Sequence, residues 1–334
     1  MNNSKFIVIT SINNPTVAIK KFARWKNWKV AVVGDKKTPK DWSYNHVEYL
    51  SINTQKELFP KMFNLIPFNS YKRKIFGYLY AASKGADYIF ETDDDNIPYN
   101  NAEAILDQDI KQIKKINKVY STTNGWLNIY NYFNGKKIWP RGYPLELINS
   151  AEKTLIKNKI INNCGVIQYL ANIDPDVDSI YRLTGGSTQT FKKNTVIALD
   201  YGTYCPFNSQ GTLWSKNYFK YMFFPLGVSD RVTDILRGYI ALTCFWHQNS
   251  TIKFKSPIIF QKRNKHNLLN DFKQELPLFL NSRVWCNTSL ETIKNLNFSE
   301  NSFFSILKKF VKIKWITSKN ITAYNLFKNT LKHY

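Results

Sequence analysis

The stretch Tyr88–Pro98, YIFETDDDNIP, decides how the chain is read. Its first three residues are apolar or aromatic, and a short apolar run bounded by turn signals marks a buried strand. Glu91 and then Asp93, Asp94 and Asp95 follow directly. Adjacent carboxylates at a strand end repel one another unless a cation holds them. In open α/β sheets, ligands sit just beyond the carboxyl ends of the strands. The fold therefore turns on whether the flanking sequence alternates strand and helix.

It does. KFIVITS (5–11), KVAVVGD (29–35) and HVEYLSI (46–52) read as short strands. TVAIKKFARWK (16–26) reads as a helix behind Pro15, and TQKELFPKMFNLI (54–66) as a helix broken near Pro60. Over 70–85, Ser70 is an N-cap, Tyr71, Ile75, Leu79 and Ala82 share one face, and Gly85 suits a left-handed cap. This order predicts an α/β fold with a doubly wound, mostly parallel sheet. KVYSTTNGW and TVIALDYGTY predict further strands, and PRGYPLELI a loop leading into a helix. SDRVTDILRGYIALTCFWHQ (229–248) predicts a long helix capped by Ser229, with Val232, Ile235, Leu236, Tyr239 and Leu242 on one side.

The chain has 334 residues, enough for one large domain or two smaller ones, and its 43% hydrophobic content excludes a disordered polymer. Lys and Arg number 47 against 24 acids, for a net charge of +23, which favours anionic partners. Cys164, Cys205, Cys244 and Cys286 form no CxxC pair, which argues for reduced thiols and against a zinc site or disulfide framework. MNNSKFIVITSINNPT lacks the form of a signal peptide, and no apolar run reaches the ~18 residues of a spanning helix. The expected location is cytoplasmic, with peripheral attachment to the cytoplasmic face of a membrane as an extension. Walker, GxGxxG, HExxH and GxSxG motifs are absent, as is EF-hand spacing.

An Asp-x-Asp pair lets two carboxylates face one divalent ion. Mg²⁺ or Mn²⁺ so held keeps waters and takes the phosphates of a nucleotide diphosphate as further ligands. Asp93 and Asp95 are the expected ligands, with Asp94 able to replace either. The bland alternative is a solvated acidic turn. Thr10, Ser11 and Asn13 end the first strand, where a nucleotide would pass, and Asp35 could accept from a base N–H or a ribose hydroxyl. Arg73 and Lys74 are expected to face the phosphates. Trp139, Arg141 and Gly142 form a loop suited to a sugar, or a packed Trp. An inverting transferase needs a carboxylate at the acceptor hydroxyl. Asp174, Asp176 and Asp178, or Asp230 and Asp234, could supply it; Asp234 is preferred and Asp176 is second. Arg237, nearly a turn from Asp234, is either a donor contact or an intrahelical partner of that Asp. His247 or His266 could be an extra metal ligand, but both read better as ordinary polar or packed histidines.

Several segments, in order, carry a wider likeness: the Trp28–Gly34 strand with TPKDW (38–42), IPFNSYKRKIFGYLYAASKGADYIFETDDD (66–95), IWPRGYPLE (138–146), DPDVDSIYRLT (174–184) and DILRGY (234–239). Together they resemble the STELLO-type glycosyltransferase family from about Phe6 to Phe260. The resemblance implies a GT-A-like nucleotide-sugar transferase fold with a metal at the Asp cluster. The partners it implies are a nucleotide-diphosphate sugar and a glycan or lipid-linked acceptor. That family's best-known members carry an N-terminal membrane anchor and reside in the Golgi. More locally, TDDDNIP is similar to the DDDN region of the reversibly glycosylated polypeptides, which act as UDP-arabinose mutases.

Residues 1–300 are thus expected to form the transferase domain, and 301–334 a basic tail. The tail holds seven Lys and no acid. Phe303, Phe304, Leu307, Phe310 and Val311 fall at helical spacing between Lys308, Lys309 and Lys312. Such two-faced segments lie on anionic membranes, or pack on their own domain with the lysines in water. Two other functions remain open at this level: a nucleotide-sugar mutase, and a non-catalytic polyanion binder. Nucleic acid is not an expected partner, because no nucleic-acid motif occurs and the acidic cluster repels phosphates.

Overall fold

In β1 (Lys5–Thr10), alternate residues face opposite sides: Phe6 and Val8 enter one core, Ile7 and Ile9 another. Such a strand is covered on both faces, and the rest of the fold follows from that requirement. The computed structural model describes residues 3–135, 137–150, 153–264 and 266–334. β1 pairs in parallel with β2 (Lys29–Val33) and β4 (Tyr88–Asp93), and β2 with β3 (Val47–Leu50). The sheet continues beyond β4 through β10 (Gly211–Ser215), β8 (Val166–Asn172), β11 (Ile252–Gln261) and β5 (Asn96–Pro98). β10 runs antiparallel to both its neighbours, and β8 and β11 run parallel to each other. β9 (Val196–Ala198) pairs with β11 off this path, and β6 (Ile116–Thr122) and β7 (Thr154–Ile161) form a separate hairpin-like pair. The half of the sheet that holds the acidic cluster is thus the parallel, alternating half; the other half is mixed.

Helices cover both faces. α1 (Val17–Phe22) and α5 (Ala102–Lys111) close the side of Ile7 and Ile9. α2 (Ile52–Leu58) stops at Phe59, and Pro60 opens α3 (Pro60–Phe63), as the sequence predicts for a missing N–H. The predicted 70–85 helix begins as a 3-10 turn over Tyr71–Arg73 and becomes α4 (Lys74–Ser83), with Ser70 capping and Gly85 at φ +74°. Gly77 is where α4 lies hard on the sheet: a Cβ there would come within 2.4 Å of Val8 Cγ1. α6 (Ser179–Leu183) is one short turn-and-a-half.

α7 (Asp230–His247) matches the predicted long helix, but every residue from Val232 to Trp246 is buried, so it is a central helix and not a one-sided one. α8 (Leu268–Lys294) packs along it and contains Pro277. The tail forms α9 (Ser302–Lys312) and α10 (Lys319–Lys332). Its apolar stripe does not face outward. Phe303, Leu307, Phe310, Tyr324 and Phe327 are wholly buried, with Phe303 against Tyr221 and Phe223 between Tyr324 and Phe327. The expected membrane-inserting face is therefore occupied by the protein itself, and lysines such as Lys308 and Lys309 stay outside. No described helix is long and apolar enough to cross a membrane.

Candidate active site

Beyond the carboxyl ends of β1, β2 and β4 lies a cleft of about 710 Å³, a volume in the range of small-molecule sites. Thr10, Ser11, Asn13 and Asp35 line one wall, Asp93, Asp94 and Asp95 the floor, and Arg141, Asp176, Asp230, Arg231 and Asp234 the far wall. The first wall is fixed by its own hydrogen bonds. Ser11 N–H donates to Val33 O at 3.1 Å, and Trp42 Nε1 donates to Asn13 O at 2.8 Å. Thr38 Oγ1 donates to Ser11 O at 2.7 Å and accepts from Asp35 N at 2.8 Å. The Asp35 carboxylate accepts from Lys36 N (2.7 Å) and Ser70 N (3.1 Å), which ties the end of β2 to the start of α4.

The three aspartates differ. Asp93 Oδ1 accepts from Tyr71 OH at 2.5 Å and from Lys74 Nζ at 2.7 Å. Asp94 accepts from Ser11 Oγ at 2.5 Å and Asn13 Nδ2 at 3.0 Å; burial still raises its carboxyl above the ordinary range. Asp95 Oδ2 accepts from Gln261 Nε2 at 3.0 Å, and the backbone of Asn264 also favours its charged form, while among the described residues no hydrogen bond fills its buried Oδ1. Burial, and next the Asp93 charge, push Asp95 up to about 7. An orphaned carboxylate oxygen beside two like charges is the arrangement a divalent ion satisfies. Among the described residues, no three His, Cys, Asp or Glu side chains are grouped to hold a metal unaided. The donor set fits a hard ion that takes one or two carboxylates and completes its shell with phosphates and water.

On the far wall, two carboxylates share one guanidinium. Arg141 bonds Asp176 through Nε and Nη2 (2.8 and 2.9 Å) and Asp234 through Nη1 and Nη2 (3.1 and 3.0 Å). Asp176 also accepts from Asn208 Nδ2 at 2.5 Å. Burial alone would raise Asp176, but Arg141 outweighs it and the carboxyl is held below the ordinary range. Asp230 is engaged by Ser70 Oγ, Tyr71 N and Lys72 Nζ. Asp178 caps α6 and accepts from Trp139 Nε1, so Trp139 is a packed Trp. Gly142, at φ +91°, packs against Tyr239.

Two basic residues stand elsewhere than the sequence suggests, and a third has its donors already engaged. Lys74 is wholly buried beneath Asp93 and does not line the cleft; it is that carboxylate's counter-ion. Arg237 is also wholly buried. It pairs with Glu91 at 2.7 and 2.9 Å over the rings of Trp214 and Phe224, and it neither reaches the cleft nor meets Asp234. Arg73 lines the cleft but spends its donors on Gln55 Oε1 and Ile66 O, under the rings of Phe63, Phe68 and Phe76. Burial lowers it to about 10. His247 lies outside the cleft; His266 lines it, 3.3 Å from Asp271.

Sequence reasoning passed over the segment that joins β11 to α8. Gln261, Arg263, Asn264, Asn270 and Asp271 all line the cleft, and Arg231 joins them from α7. The signal was QKRNKHN (261–267), a basic polar run between a strand and a capped helix, placed where connecting loops carry function.

An α/β sheet with an acidic strand end opening into a nucleotide-sized cleft is the GT-A-like arrangement that the motifs imply. No family model matches the chain. Two curated Arabidopsis thaliana proteins, "Probable glycosyltransferase STELLO2" and "Probable glycosyltransferase STELLO1", are each 29% identical to it, over 269 and 267 residues. These matches cover 76% of this chain and 35% of each relative, so the chain spans about a third of the length of the curated relatives it matches. The chain is thus similar to the STELLO-type glycosyltransferases along three quarters of its length. Among solved structures, Mycobacterium tuberculosis glucosyl-3-phosphoglycerate synthase in complex with Mn²⁺ and UDP-glucose aligns over 86% of this chain and 79% of its own, with 9% identity and a TM-score of 0.42. A TarS fragment from S. aureus aligns over 99% and 91%, with 10% identity and a TM-score of 0.37.

Proposed function

We propose that this chain transfers a sugar from a nucleotide-diphosphate sugar to an acceptor hydroxyl, with a divalent ion held at Asp95 and Asp93. The observation that carries the reading is Asp95: a carboxylate at the floor of the cleft whose buried Oδ1 has no hydrogen bond among the described residues. Thr10, Ser11, Asn13 and Asp35 form the wall that a nucleoside would lie against. The bound ion would neutralise the diphosphate as a leaving group. Lys74 and Tyr71 hold Asp93 in place from below, and Ser11 and Asn13 do the same for Asp94. Asp234, fixed by Arg141 and lining the cleft, is assigned the proton of the acceptor hydroxyl.

The test is thermal stabilisation by UDP, GDP, CDP and ADP with and without Mn²⁺. One of them should stabilise the protein only when Mn²⁺ is present, and Asp95→Ala should abolish the effect. Equal metal-dependent stabilisation of Asp95→Ala would remove the reading.

A further inference from the structure

The cleft has two electrical poles. The acidic one is Asp93, Asp94 and Asp95. The other is built by Arg231 at the start of α7, Arg263 after β11 and His266 before α8. Gln261 joins the two poles: its side chain donates to Asp95, and Arg263 follows two residues later, within ~7 Å along an extended backbone.

The side chains of the basic pole are anchored but not saturated. Arg231 directs Nε and Nη2 to Glu275 Oε1, at 2.8 Å for Nε. Arg263 directs Nη2 to Asp271 at 2.9 Å, and His266 shares that carboxylate at 3.3 Å. Glu275 is wholly buried, and its other oxygen is filled by the N–H and hydroxyl of Ser179, at 2.7 Å each. Among the described residues, no hydrogen bond occupies Nη1 of Arg231, or Nε and Nη1 of Arg263. Neither guanidinium has a buried orphan nitrogen, so these donors are open to the cleft. Guanidiniums held rigidly on one side with free N–H groups on the other are a fork for an oxyanion. Their crowding supports this: burial, and after it the charges of Arg182 and Arg231, lower Arg263 to about 10, a repulsion that a bound anion relieves.

We propose that Arg231, Arg263 and His266 form an anion subsite that takes a phosphate or carboxylate group of the acceptor, beside the donor. The identity of the neighbour as a donor rests on the function proposed above; the anion subsite itself does not. A nucleotide diphosphate with its ion fills the acidic pole and leaves the basic pole for a second anion. The acceptor is then a phosphorylated or acidic hydroxyl compound and not a neutral sugar.

The experiment titrates methyl phosphate, dimethyl phosphate, acetate and methanol into the full chain, followed by NMR chemical shifts. It is run alone and with saturating Mg²⁺ and the nucleoside diphosphate that stabilises the protein best. At least one anion should bind in the loaded state while methanol does not; the preferred one separates monoester, diester and carboxylate acceptors. Arg263→Gln and Arg231→Gln should each weaken it about tenfold or more while leaving nucleotide affinity within twofold. Arg283→Gln, whose pair with Glu146 is exposed and outside the cleft, should change neither. Anion binding unchanged in both variants, displacement of the anion by the nucleotide, or no anion binding at all overturns the subsite. Anion binding that needs Arg263, without any nucleotide response, upholds the subsite and sinks the donor reading instead.

Discussion

Glu91 and Asp95 lie four residues apart on one strand and its turn, and both are carboxylates inside the protein. Glu91 is closed. It accepts two bonds from Arg237, one from Trp214 Nε1 at 2.8 Å and one from Tyr78 OH. Asp95 is open: the Gln261 amide and the Asn264 backbone are its donors, and among the described residues its Oδ1 has no hydrogen bond. The difference follows from what faces each side chain. Glu91 points into a core that supplies a guanidinium stacked between Trp214 and Phe224. Asp95 stands over a cleft. A buried charge whose lone pairs are all filled belongs to the fold; one left unfilled at a cavity marks where a ligand's charge is to be added.

The largest expected effect tests the closed case. Arg237→Met leaves Glu91 charged and unpaired in the core, which should cost about 3–5 kcal/mol in urea unfolding. Adding Glu91→Gln should restore part of that loss, because breaking a buried pair is worse than removing it. If the double variant is as unstable as the single, the pair is not what holds this core together.

The open case should behave in the opposite way. Asp95→Asn removes a charge that repels Asp93 and Asp94, so folding stability should stay level or rise. Metal-dependent nucleotide affinity should fall about 10²-fold, near 3 kcal/mol. A variant that loses stability while keeping its nucleotide would place Asp95 with Glu91, as part of the fold.

Arg141 lies between these extremes, because its two carboxylates make it a closed cluster at an open wall. If Asp234 takes the acceptor's proton, Asp234→Asn should lower turnover about 10²-fold with donor binding kept, and Asp176→Asn should cost clearly less. If the two substitutions cost the same, both carboxylates only position Arg141.

What could be read beforehand follows the range of the interaction. The helix over 70–85 and the acidic strand end were legible because caps, periodicity and turn residues act within a few positions. The roles of Lys74 and Arg237 were not, since their partners lie 19 and 146 positions away. Lys74 reads as a cation at the mouth of a site and Arg237 as either that or a partner of Asp234, and both are counter-ions below the site. The tail shows the same limit. Its apolar stripe is plain in the sequence, but a membrane and a helical core ask for the same stripe, and only the burial of Phe303, Leu307 and Phe310 separates them. Arg263 and His266 share the run QKRNKHN (261–267), but no local pattern joins that run to Arg231, 32 positions before Arg263.

Asp178 gives the smallest effect and sharpens the comparison most finely, because it is closed by neutral donors alone. It is wholly buried, and it accepts from Tyr181 N at 2.8 Å and Trp139 Nε1 at 2.5 Å, with no ion pair to a cation among the described residues. Burial pushes its carboxyl up to about 6, against the pull of those two donors. An unfolded Asp titrates near 4, so between about pH 4 and 6 the native state binds the extra proton. The protonated form therefore contributes stability that is fully present below about pH 4 and is lost as pH rises through 6. Asp178→Asn keeps an oxygen for Tyr181 N and carries no charge to bury. Its stability relative to the unmodified protein should shift in the variant's favour by about 1–2 kcal/mol between pH 4 and pH 8, as read by urea unfolding at a series of pH values. If the two stability curves run parallel across that range, neutral donors alone close a buried carboxylate as well as Arg237 does, and the contrast between Glu91 and Asp95 rests on the unfilled oxygen and not on the missing cation.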